Sequence, residues 1–306
     1  MGDLPDLAND SYLDRVNRAI DHVTRNLAEP LKLEDVAKVA CFSPYHFHRV
    51  FRSVMGETLH DFIQRVRLER ALHLLSHGGE PTLTDVALAC GFGSSSNFSR
   101  SFKAHFGVAP RDFDLDALRQ QRRGALMGTL PDGHRLARLP EGANPDGFAV
   151  RLRDLPARRV AYQRVFRPYE GERVLEATTR LLEWARARGL EGGQWLGYQW
   201  DDPEIVPLEQ CRYDMGLEIP ESAAVDDSVS ETRFPPMKVA EVEIAGTVEL
   251  ELRAIDWLYT TWLPRSSFAP DHQPGFEAFN GQPFAHGTTH FELRVQLPVS
   301  DMALGR

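Results

Sequence analysis

Apolar residues in the first third of the chain recur every three or four positions, the spacing of a helix that buries one face. The first stripe predicts a helix near the N-terminus, and its members are Leu13, Val16, Ile20, Val23 and Leu27. A short helix is predicted over 33–40 and a long helix over 58–76. The long helix has two apolar stripes on different faces, so we expect it to connect two small subdomains.

Two stretches of this region repeat one pattern about fifty residues apart. Asp35-Val36-Ala37 before Phe42 returns as Asp85-Val86-Ala87 before Phe92, and Phe47-x-Arg49-x-Phe51 returns as Phe98-x-Arg100-x-Phe102. A repeat of this kind marks a duplicated structural unit. Each copy predicts a short helix, a tight turn and a second helix, which is a helix-turn-helix. Two copies on one chain predict a protein that contacts two successive turns of DNA as a monomer.

The capping residues and the two faces of the second helices support this interpretation. Ser43-Pro44 predicts a capped helix start in the first copy, and Thr82-x-x-Asp85 predicts a capping box in the second. The aromatic residues of each second helix face the core, and the opposite face is basic. The predicted DNA contacts on those faces are Tyr45, His48, Arg49 and Arg52 in the first copy and Ser96, Asn97, Arg100 and Lys103 in the second.

These residue types suit DNA because arginine can donate two hydrogen bonds to guanine and asparagine can pair with adenine. A single basic helix is more often an ordinary solvated surface. The matched arginines of the two copies, Arg49 and Arg100, favour DNA binding over that alternative.

The second half of the chain has the shorter alternation that is typical of strands. Residues 124–147 are rich in Gly, Pro and polar residues and predict a linker. Beyond it, strands are predicted over 150–166, 195–200, 211–219, 237–244, 276–279 and 290–297, and helices over 171–188 and 247–263. The order is strand, helix, strand, strand, and it occurs twice. We therefore expect two βαββ repeats in an antiparallel sheet with two helices on one face.

Charge separates the two halves. The 306 residues carry a net charge of −9, but the part through Arg123 contains 16 basic and 16 acidic residues. The remainder has 35 − 16 = 19 basic and 44 − 16 = 28 acidic residues, so it holds the whole excess. The basic helix faces suit DNA and the acidic half does not. The chain has no long apolar run and no signal-like N-terminus, and its three cysteines lack metal-ligand spacing, so we expect a cytoplasmic protein without a membrane partner.

The N-terminal motif resembles a known family. The run Gly91-Phe92…Phe98-Ser99-Arg100-Ser101-Phe102-Lys103…Phe106-Gly107-Val108-Ala109-Pro110…Phe113 is similar to the signature of AraC/XylS transcription regulators, and the resemblance covers about 10–115. It implies seven helices, two helix-turn-helix subdomains joined by a long helix, and contact with two adjacent major-groove segments. The family's DNA-contacting positions correspond to Tyr45, His48, Arg49, Ser96, Asn97 and Arg100. Cys41 departs from the family, which often has Gly in that turn.

The C-terminal half resembles the gyrase-inhibitor-like small-molecule-binding domain over about 148–300. The resemblance is carried by Trp262-Leu263-Pro264, Phe276-Glu277-Ala278-Phe279 and Thr289-His290-Phe291-Glu292-Leu293. It implies a Rob-type arrangement, with the DNA-binding domain first, and a groove that is lined with aromatic residues and often holds a buried glutamate. Glu277 has the matching motif position. Arg167-Pro168-Tyr169 departs from the usual Gly-Pro-Tyr.

Aromatic faces and one desolvated carboxylate would favour a planar or cationic ligand. The candidate ligand-binding residues are Tyr162, Tyr198, Trp200, Tyr213, Trp257, Trp262, Phe276 and Glu277. The alternatives are that the aromatic residues form ordinary core and that Glu277 is a surface carboxylate on a strand edge. His286 and His290 lack a third metal ligand. No catalytic motif is present, although a hydrolase or a sequestering protein for a toxic small molecule, with Glu277 as general base, is an alternative hypothesis.

These patterns together predict a multidomain protein. An all-α, seven-helix, double helix-turn-helix domain is expected over 8–123, a linker over 124–147, and an α+β domain of two βαββ repeats over 148–300. We expect a non-enzymatic, ligand-responsive transcription regulator without a cofactor, which senses a small aromatic or cationic molecule. Its expected partners are a double-stranded DNA operator, a small-molecule effector and RNA polymerase.

Overall fold

The computed structural model describes residues 10–77, 82–129, 139–140, 142–271 and 273–301. Contacts between Cα atoms divide the chain into two compact units. Unit 1 comprises the described residues up to Asp116 together with Asp226–Ser230, and unit 2 comprises those from Ala117 to Val225 and from Glu231 onward. Among the described residues, no helix is both long enough and apolar enough to cross a membrane.

The predicted helices of unit 1 are confirmed. They are α1 Asp10–Arg25, α2 Leu33–Val39, α3 Pro44–Met55, α4 Leu59–His77, α5 Leu83–Ala89 and α6 Ser95–Phe106. The predicted caps also form: Ser43 accepts a hydrogen bond from the backbone of His46, and Thr82 and Asp85 cap each other's backbone N–H. The core of each helix-turn-helix contains a pair of fully buried phenylalanines, Phe47 with Phe51 and Phe98 with Phe102.

The turns of the two helix-turn-helix units differ at one matched position. Gly91, in the second turn, has φ +80°, and a Cβ there would lie 2.5 Å from the carbonyl oxygen of Leu27. Cys41, in the first turn, takes the same left-handed conformation with φ 53° although it has a side chain. The departure from glycine at Cys41 therefore leaves the turn geometry unchanged and adds local backbone strain.

Helix α7, Leu115–Met127, extends across the predicted domain boundary at residue 123. The grouping by contacts places its residues from Ala117 onward in unit 2. Arg123 is held there by Glu204, whose Oε1 accepts a hydrogen bond from Nε at 2.6 Å, and by Asp256 at 3.4 Å. The first residues of the predicted linker are thus helical, while 130–138 and 141 lie outside the described residues. The predicted domain limits remain a proposal.

Unit 2 contains the sheet. Its elements are β1 Arg151–Leu155, β2 Arg158–Phe166, α8 Arg173–Arg186, β3 Trp195–Gln199, β4 Arg212–Glu218, β5 Ser230–Phe234, β6 Met237–Gly246, α9 Val248–Trp257, β7 Phe268–Pro270, β8 Phe276–Phe279 and β9 Phe291–Asp301. Within the described residues, nine strands form one sheet in the order β1-β6-β9-β8-β3-β4-β2-β5, with β7 paired to β9. The strand pairs with a described register are antiparallel, as predicted. Strands β5 and β7 are additional to the prediction, and the single strand predicted over 150–166 is two strands, β1 and β2, separated by residues 156–157.

The chain connections force the sheet to curl. Strands β1 and β6 lie at one end of the sheet order and β2 and β5 at the other. However, only residues 156–157 join β1 to β2, and only 235–236 join β5 to β6. Two intervening residues span about 11 Å at most, so the two ends of the sheet must approach each other. The curled sheet therefore has an inner face, which we call the enclosed face, and an outer face.

Strand register assigns side chains to these two faces because successive residues of a strand point in opposite directions. The enclosed face carries an apolar cluster that includes Val160, Leu196, Val239 and Ala278. Helix α8 contacts β2 and β4, and α9 contacts β6 and β9. No described residue of α8 or α9 belongs to that cluster. We call the outer face the helix-covered face.

Candidate functional sites

The predicted DNA contacts lie on the solvent side of α3 and α6. Seven of the eight are exposed, and His48 is half-buried. Tyr45 is the most exposed large apolar residue among those described, with 67% of its surface accessible, and its hydroxyl lies 3.4 Å from Nη1 of Arg49. Neither helix has an acidic residue in its first turn. Each helix thus presents a basic face whose side chains are free to contact an anionic partner, although their role in DNA binding stays a prediction.

Glu277 lies inside the sheet and is buried, with 7% of its surface exposed. Strand β8 is paired on both sides, with β3 and with β9, so Glu277 is not on a sheet edge. Its Oε2 accepts a hydrogen bond from the hydroxyl of Tyr213 at 2.6 Å, and its Oε1 accepts one from Nε2 of Gln199 at 2.8 Å. The alternative of a surface carboxylate is therefore wrong.

A second buried glutamate, which the sequence analysis missed, meets Glu277 from α9. Glu251 is 6% exposed, and a side-chain hydrogen bond joins the two carboxyl groups. Burial raises the pKa of Glu251 well above its usual range, and the neighbouring Glu277 carboxylate raises it further. Burial also raises the pKa of Glu277, against the hydrogen bonds from Tyr213, Gln199 and Glu251, which lower it.

A glycine makes room for this arrangement. Gly197 of β3 lies directly opposite Glu277 in the register. A Cβ at Gly197 would overlap both the hydroxyl of Tyr213 and the carboxylate of Glu277. A glycine in the interior of a strand weakens the strand, which is a signal of close approach by another group. This glycine was one sequence signal for the site.

The turn after β2 brings Tyr169 towards the same carboxylate. Burial is the main cause that raises the pKa of Tyr169, and Glu277 is among the charges that add to it. Arg167 in this turn has φ 56°, the left-handed conformation that a glycine would adopt readily. The departure from Gly-Pro-Tyr therefore preserves the backbone geometry that glycine favours.

Four of the aromatic candidates lie on the enclosed face, not beside Glu277. The register places Tyr162, Tyr198 and Phe276 on that face, and Trp200 follows β3 on the same side. Tyr162 and Tyr198 are each only 1% exposed, and the ring of Tyr198 stacks on Phe234 at 4.5 Å. The eight candidates therefore do not line a single groove.

The chain's own arginines occupy the faces of these rings. The guanidinium of Arg164 lies 5.0 Å from the ring centre of Tyr162 and 5.6 Å from that of Trp200. It also forms two hydrogen bonds with Asp214, at 2.8 and 2.7 Å, and Asp214 accepts a further bond from Nε1 of Trp200 at 2.6 Å. The cation that such rings could attract is already supplied from within the fold.

The two remaining candidates pack near α9. Trp257 packs against Phe148 at 5.7 Å, and Trp262 stacks on Phe268 at 6.0 Å. The structure therefore brings together Tyr213 and Glu277, and adds the unpredicted Gly197, Gln199 and Glu251.

An open cleft of about 370 Å³ lies beside β6 and is lined in part by Phe148, Glu243 and Leu250. None of the eight candidate ligand residues lines it. Among the described residues, no group of three His, Cys, Asp or Glu side chains is placed to hold a metal ion. His286 and His290 lie 3.7 and 3.9 Å from one oxygen of Glu292, and all three side chains are exposed, so within the described part of the chain they form surface contacts and not a metal site.

Comparison with protein families agrees with both halves of this architecture. The model of the GyrI-like small molecule binding domain matches residues 148–300, which is half of the chain. The chain belongs to the GyrI-like small-molecule-binding family. A helix-turn-helix domain model matches 36–115, and the resemblance of this part to AraC-type regulators is confirmed.

Named transcription regulators are among the similar proteins. The HTH-type transcriptional activator RhaS of Klebsiella pneumoniae (strain 342) is 37% identical over 113 residues, which are 37% of this chain and 38% of RhaS. The probable transcriptional regulator LumQ of Photobacterium leiognathi is 30% identical over 111 residues, 36% of this chain and 44% of LumQ. The chain thus spans less than half the length of these relatives.

A solved structure also resembles the N-terminal part. The crystal structure of a transcriptional regulator with an AraC-type DNA-binding domain from Chromobacterium violaceum shares 29% identity at a TM-score of 0.31. The match covers 34% of this chain and 92% of that one.

Proposed function

We propose that this protein is a transcription regulator that binds operator DNA through α3 and α6 and responds to an organic cation bound at Glu277. The observation that carries the sensing part is a buried carboxylate that is hydrogen-bonded but has no cationic partner among the described residues. The DNA-binding part is supported by two basic, acid-free helix faces in a duplicated helix-turn-helix.

DNA binding follows from what the two helices expose. Arg49 and Arg100 have matched positions in the repeat, and both are solvent-accessible. A helix-turn-helix places the second helix in the major groove, where a guanidinium can bond to the edge of guanine. With one such helix in each half of unit 1, the chain is suited to two adjacent groove segments.

Variants of the two arginines test this part. Arg49→Ala and Arg100→Ala should each weaken binding to a DNA sequence selected from a random pool by about 1–3 kcal/mol and relax its base preference. Arg18→Ala, on α1 and paired with Asp14, is the control for loss of one exposed charge. Wild-type affinity for both α3 and α6 variants, in titrations at matched salt, would overturn the two-helix model.

The cation preference follows from the charge at Glu277. A buried carboxylate is costly unless a partner offsets it, and an incoming cation can supply that partner. The nearby tyrosines, Tyr213 and Tyr169, are neutral groups that can contact an aromatic ligand without adding charge. We therefore propose an organic cation with an aromatic part as the ligand class.

Calorimetry with two probes tests the preference. The cation 1-methyl-4-phenylpyridinium should bind more tightly than 4-phenylpyridine, which has the same two-ring frame and carries no charge in neutral or basic solution. Glu277→Gln should lower affinity for the cation by about 1–3 kcal/mol and leave the neutral analogue nearly unchanged. Equal losses for both probes would mean that Glu277 acts only through structure, and chemical turnover of a probe would favour the hydrolase hypothesis.

Control of transcription requires a partner beyond DNA and ligand. The RhaS relatives are named activators, and by analogy we include RNA polymerase as the proposed partner of the DNA-bound protein. A ligand-dependent change in transcript level from a promoter that carries the selected DNA sequence would support this step.

A further inference from the structure

The hydrogen bond between Glu251 and Glu277 requires a proton, because ionised carboxylates only accept hydrogen bonds. The two side chains come from different elements, α9 and β8, and both are more than nine-tenths buried. Their contact therefore lies in the protein interior and is not a cluster of surface acids.

The donors around the pair show which residue holds the proton. Glu277 accepts from the hydroxyl of Tyr213 and from Nε2 of Gln199, so its carboxylate form is stabilised. Among the residues that the structure describes, the side-chain partner of Glu251 is Glu277, and burial and that neighbour raise the pKa of Glu251. Burial raises the pKa of both groups, but Glu277 has the two further donors, so a proton shared by the pair is held by Glu251 in preference to Glu277.

The surroundings leave the negative charge of the pair uncompensated. The titratable groups facing it are Tyr213 of β4 and Tyr169 of the turn after β2, and burial raises the pKa of each well above its ordinary value. Both are therefore neutral near physiological pH. Among the described residues, no Arg, Lys or His makes an ion pair with Glu251 or Glu277. A pair that shares one proton carries one negative charge and one exchangeable proton.

We infer that Glu251 is a second ligand-contacting carboxyl group that adjusts the charge of the site to that of the ligand. A singly charged cation binds while Glu251 keeps its proton. A doubly charged cation binds with release of that proton to solvent, so that two carboxylates face two positive charges. The inference rests on the proposed function, because it needs a cation to bind at Glu277.

The physical reason is that a net charge in a buried site is costly. With a monocation the charges sum to zero while Glu251 is protonated, and loss of the proton would leave a negative charge. With a dication, a retained proton would leave a positive charge, and its release restores neutrality. The number of protons released is therefore expected to equal the ligand charge minus one.

Two probes that carry permanent charges and share nearly the same shape isolate this effect. Methyl viologen carries two permanent positive charges, and 1-methyl-4-phenylpyridinium carries one on the same two-ring frame, so neither probe titrates. Calorimetry in two buffers with different ionisation enthalpies counts the protons released by the full-length protein. Near neutral pH we expect close to one proton for methyl viologen and none for the monocation. Affinity for methyl viologen should rise by up to about tenfold per pH unit, with a flat profile for the monocation.

Variants separate the two carboxyl groups. Glu251→Gln should abolish proton release, flatten the pH profile of methyl viologen and lower its affinity by about tenfold or more, the effect of leaving one charge unpaired. Monocation affinity should stay within about threefold, which also reports that the variant is folded. Glu277→Gln should weaken both probes.

The outcomes distinguish this inference from the proposed function. Binding of methyl viologen without proton release by the wild type would overturn the inference, needs no variant, and would leave cation sensing intact. The same holds if Glu251→Gln releases protons as the wild type does. Failure of both probes to bind would overturn cation sensing and the inference with it, whereas failure of methyl viologen alone would overturn only the inference.

Discussion

The two faces of the sheet both bury acids, but they treat them in opposite ways. On the enclosed face, Asp214 is held by Arg164 in a two-bond ion pair whose side chains are 2% and 1% exposed. On the helix-covered face, Glu277 is also buried, but the groups that donate hydrogen bonds to it within the described part of the chain are neutral. The same strands supply both arrangements, since Tyr213 and Asp214 are neighbours on β4 and Phe276 and Glu277 are neighbours on β8.

This difference distinguishes acids that stabilise the fold from acids that are available to bind a cationic ligand. An acid that is matched by an internal guanidinium contributes to the fold and has no need of a further cation. An acid that is buried without a counter-charge is destabilising by itself, and the cost is recovered when a cation arrives. The presence or absence of an internal arginine is therefore a sharper indicator of a ligand site here than the number of nearby aromatic rings.

The largest change in stability is expected when one partner of the Arg164–Asp214 ion pair is removed. Asp214→Asn leaves the buried Arg164 without its counter-charge and should lower the free energy of unfolding by about 3–5 kcal/mol. The double variant Arg164→Met with Asp214→Asn removes both charges and should recover most of the loss. Denaturant titration followed by tryptophan fluorescence can check this, since all five tryptophans belong to unit 2. A loss in the double variant as large as in the single one would mean that the ion pair is not the cause.

An effect of intermediate size is expected from Glu251 and Glu277, the acids without a counter-charge, when the unfolding free energy is measured as a function of pH. Their pKa values are raised in the fold, so the folded state binds protons more strongly than the unfolded chain. This contribution to stability is complete below about pH 4.5 and is lost as the pH rises through the raised values, by about 1.4 kcal/mol for each unit of the shift. The unfolding free energy of Glu251→Gln, relative to that of the wild type, should therefore increase as the pH rises. A constant difference would contradict the raised pKa of Glu251.

The smallest change in stability is expected for the corresponding acid-to-amide substitution on the helix-covered face, Glu277→Gln. Glu277→Gln removes a charge that has no counter-charge and keeps the shape. Its amide oxygen can still accept a hydrogen bond from Gln199, and its amide nitrogen can donate to the hydroxyl of Tyr213. Its unfolding free energy at neutral pH should differ from that of the wild type by less than about 1 kcal/mol, or increase. A loss comparable with that of Asp214→Asn would show that the two faces do not differ in the way proposed.

Local sequence signals were sufficient for the helices because their causes are local. Ser43, Thr82 and the apolar stripes determine where helices begin and which side is buried, and all of these were visible in the sequence. The short strands β5 and β7 depend on partners far along the chain and have weak patterns of their own. Sequence periodicity could not detect them for that reason.

The candidate site was predicted in part. The motif position of Glu277 indicated a buried acid, and its burial is confirmed. The aromatic residues were grouped by type, although Phe276 and Glu277 are consecutive in a strand and must point to opposite faces. That rule alone would have separated them.

Glu251 also left a signal that could have been used. It lies three residues after Val248 and four before Ile255, on the apolar stripe of the predicted helix. A carboxyl group on the buried side of an amphipathic helix requires a partner in the interior. Which partner it meets depends on how α9 packs on the sheet, and the sequence of α9 alone does not contain that information.

The curl of the sheet has a consequence for the order in which the protein assembles. Strand β1 pairs with β6, and β3 pairs with β8, so each must wait for the synthesis of a partner far along the chain. Strand β6 also needs β9, which is made later still. Non-local pairing of this kind folds slowly and leaves unpaired strand edges exposed in the nascent chain, whereas the helices of unit 1 depend on nearer contacts. The sheet is thus the part of the molecule whose completion most depends on protection during synthesis.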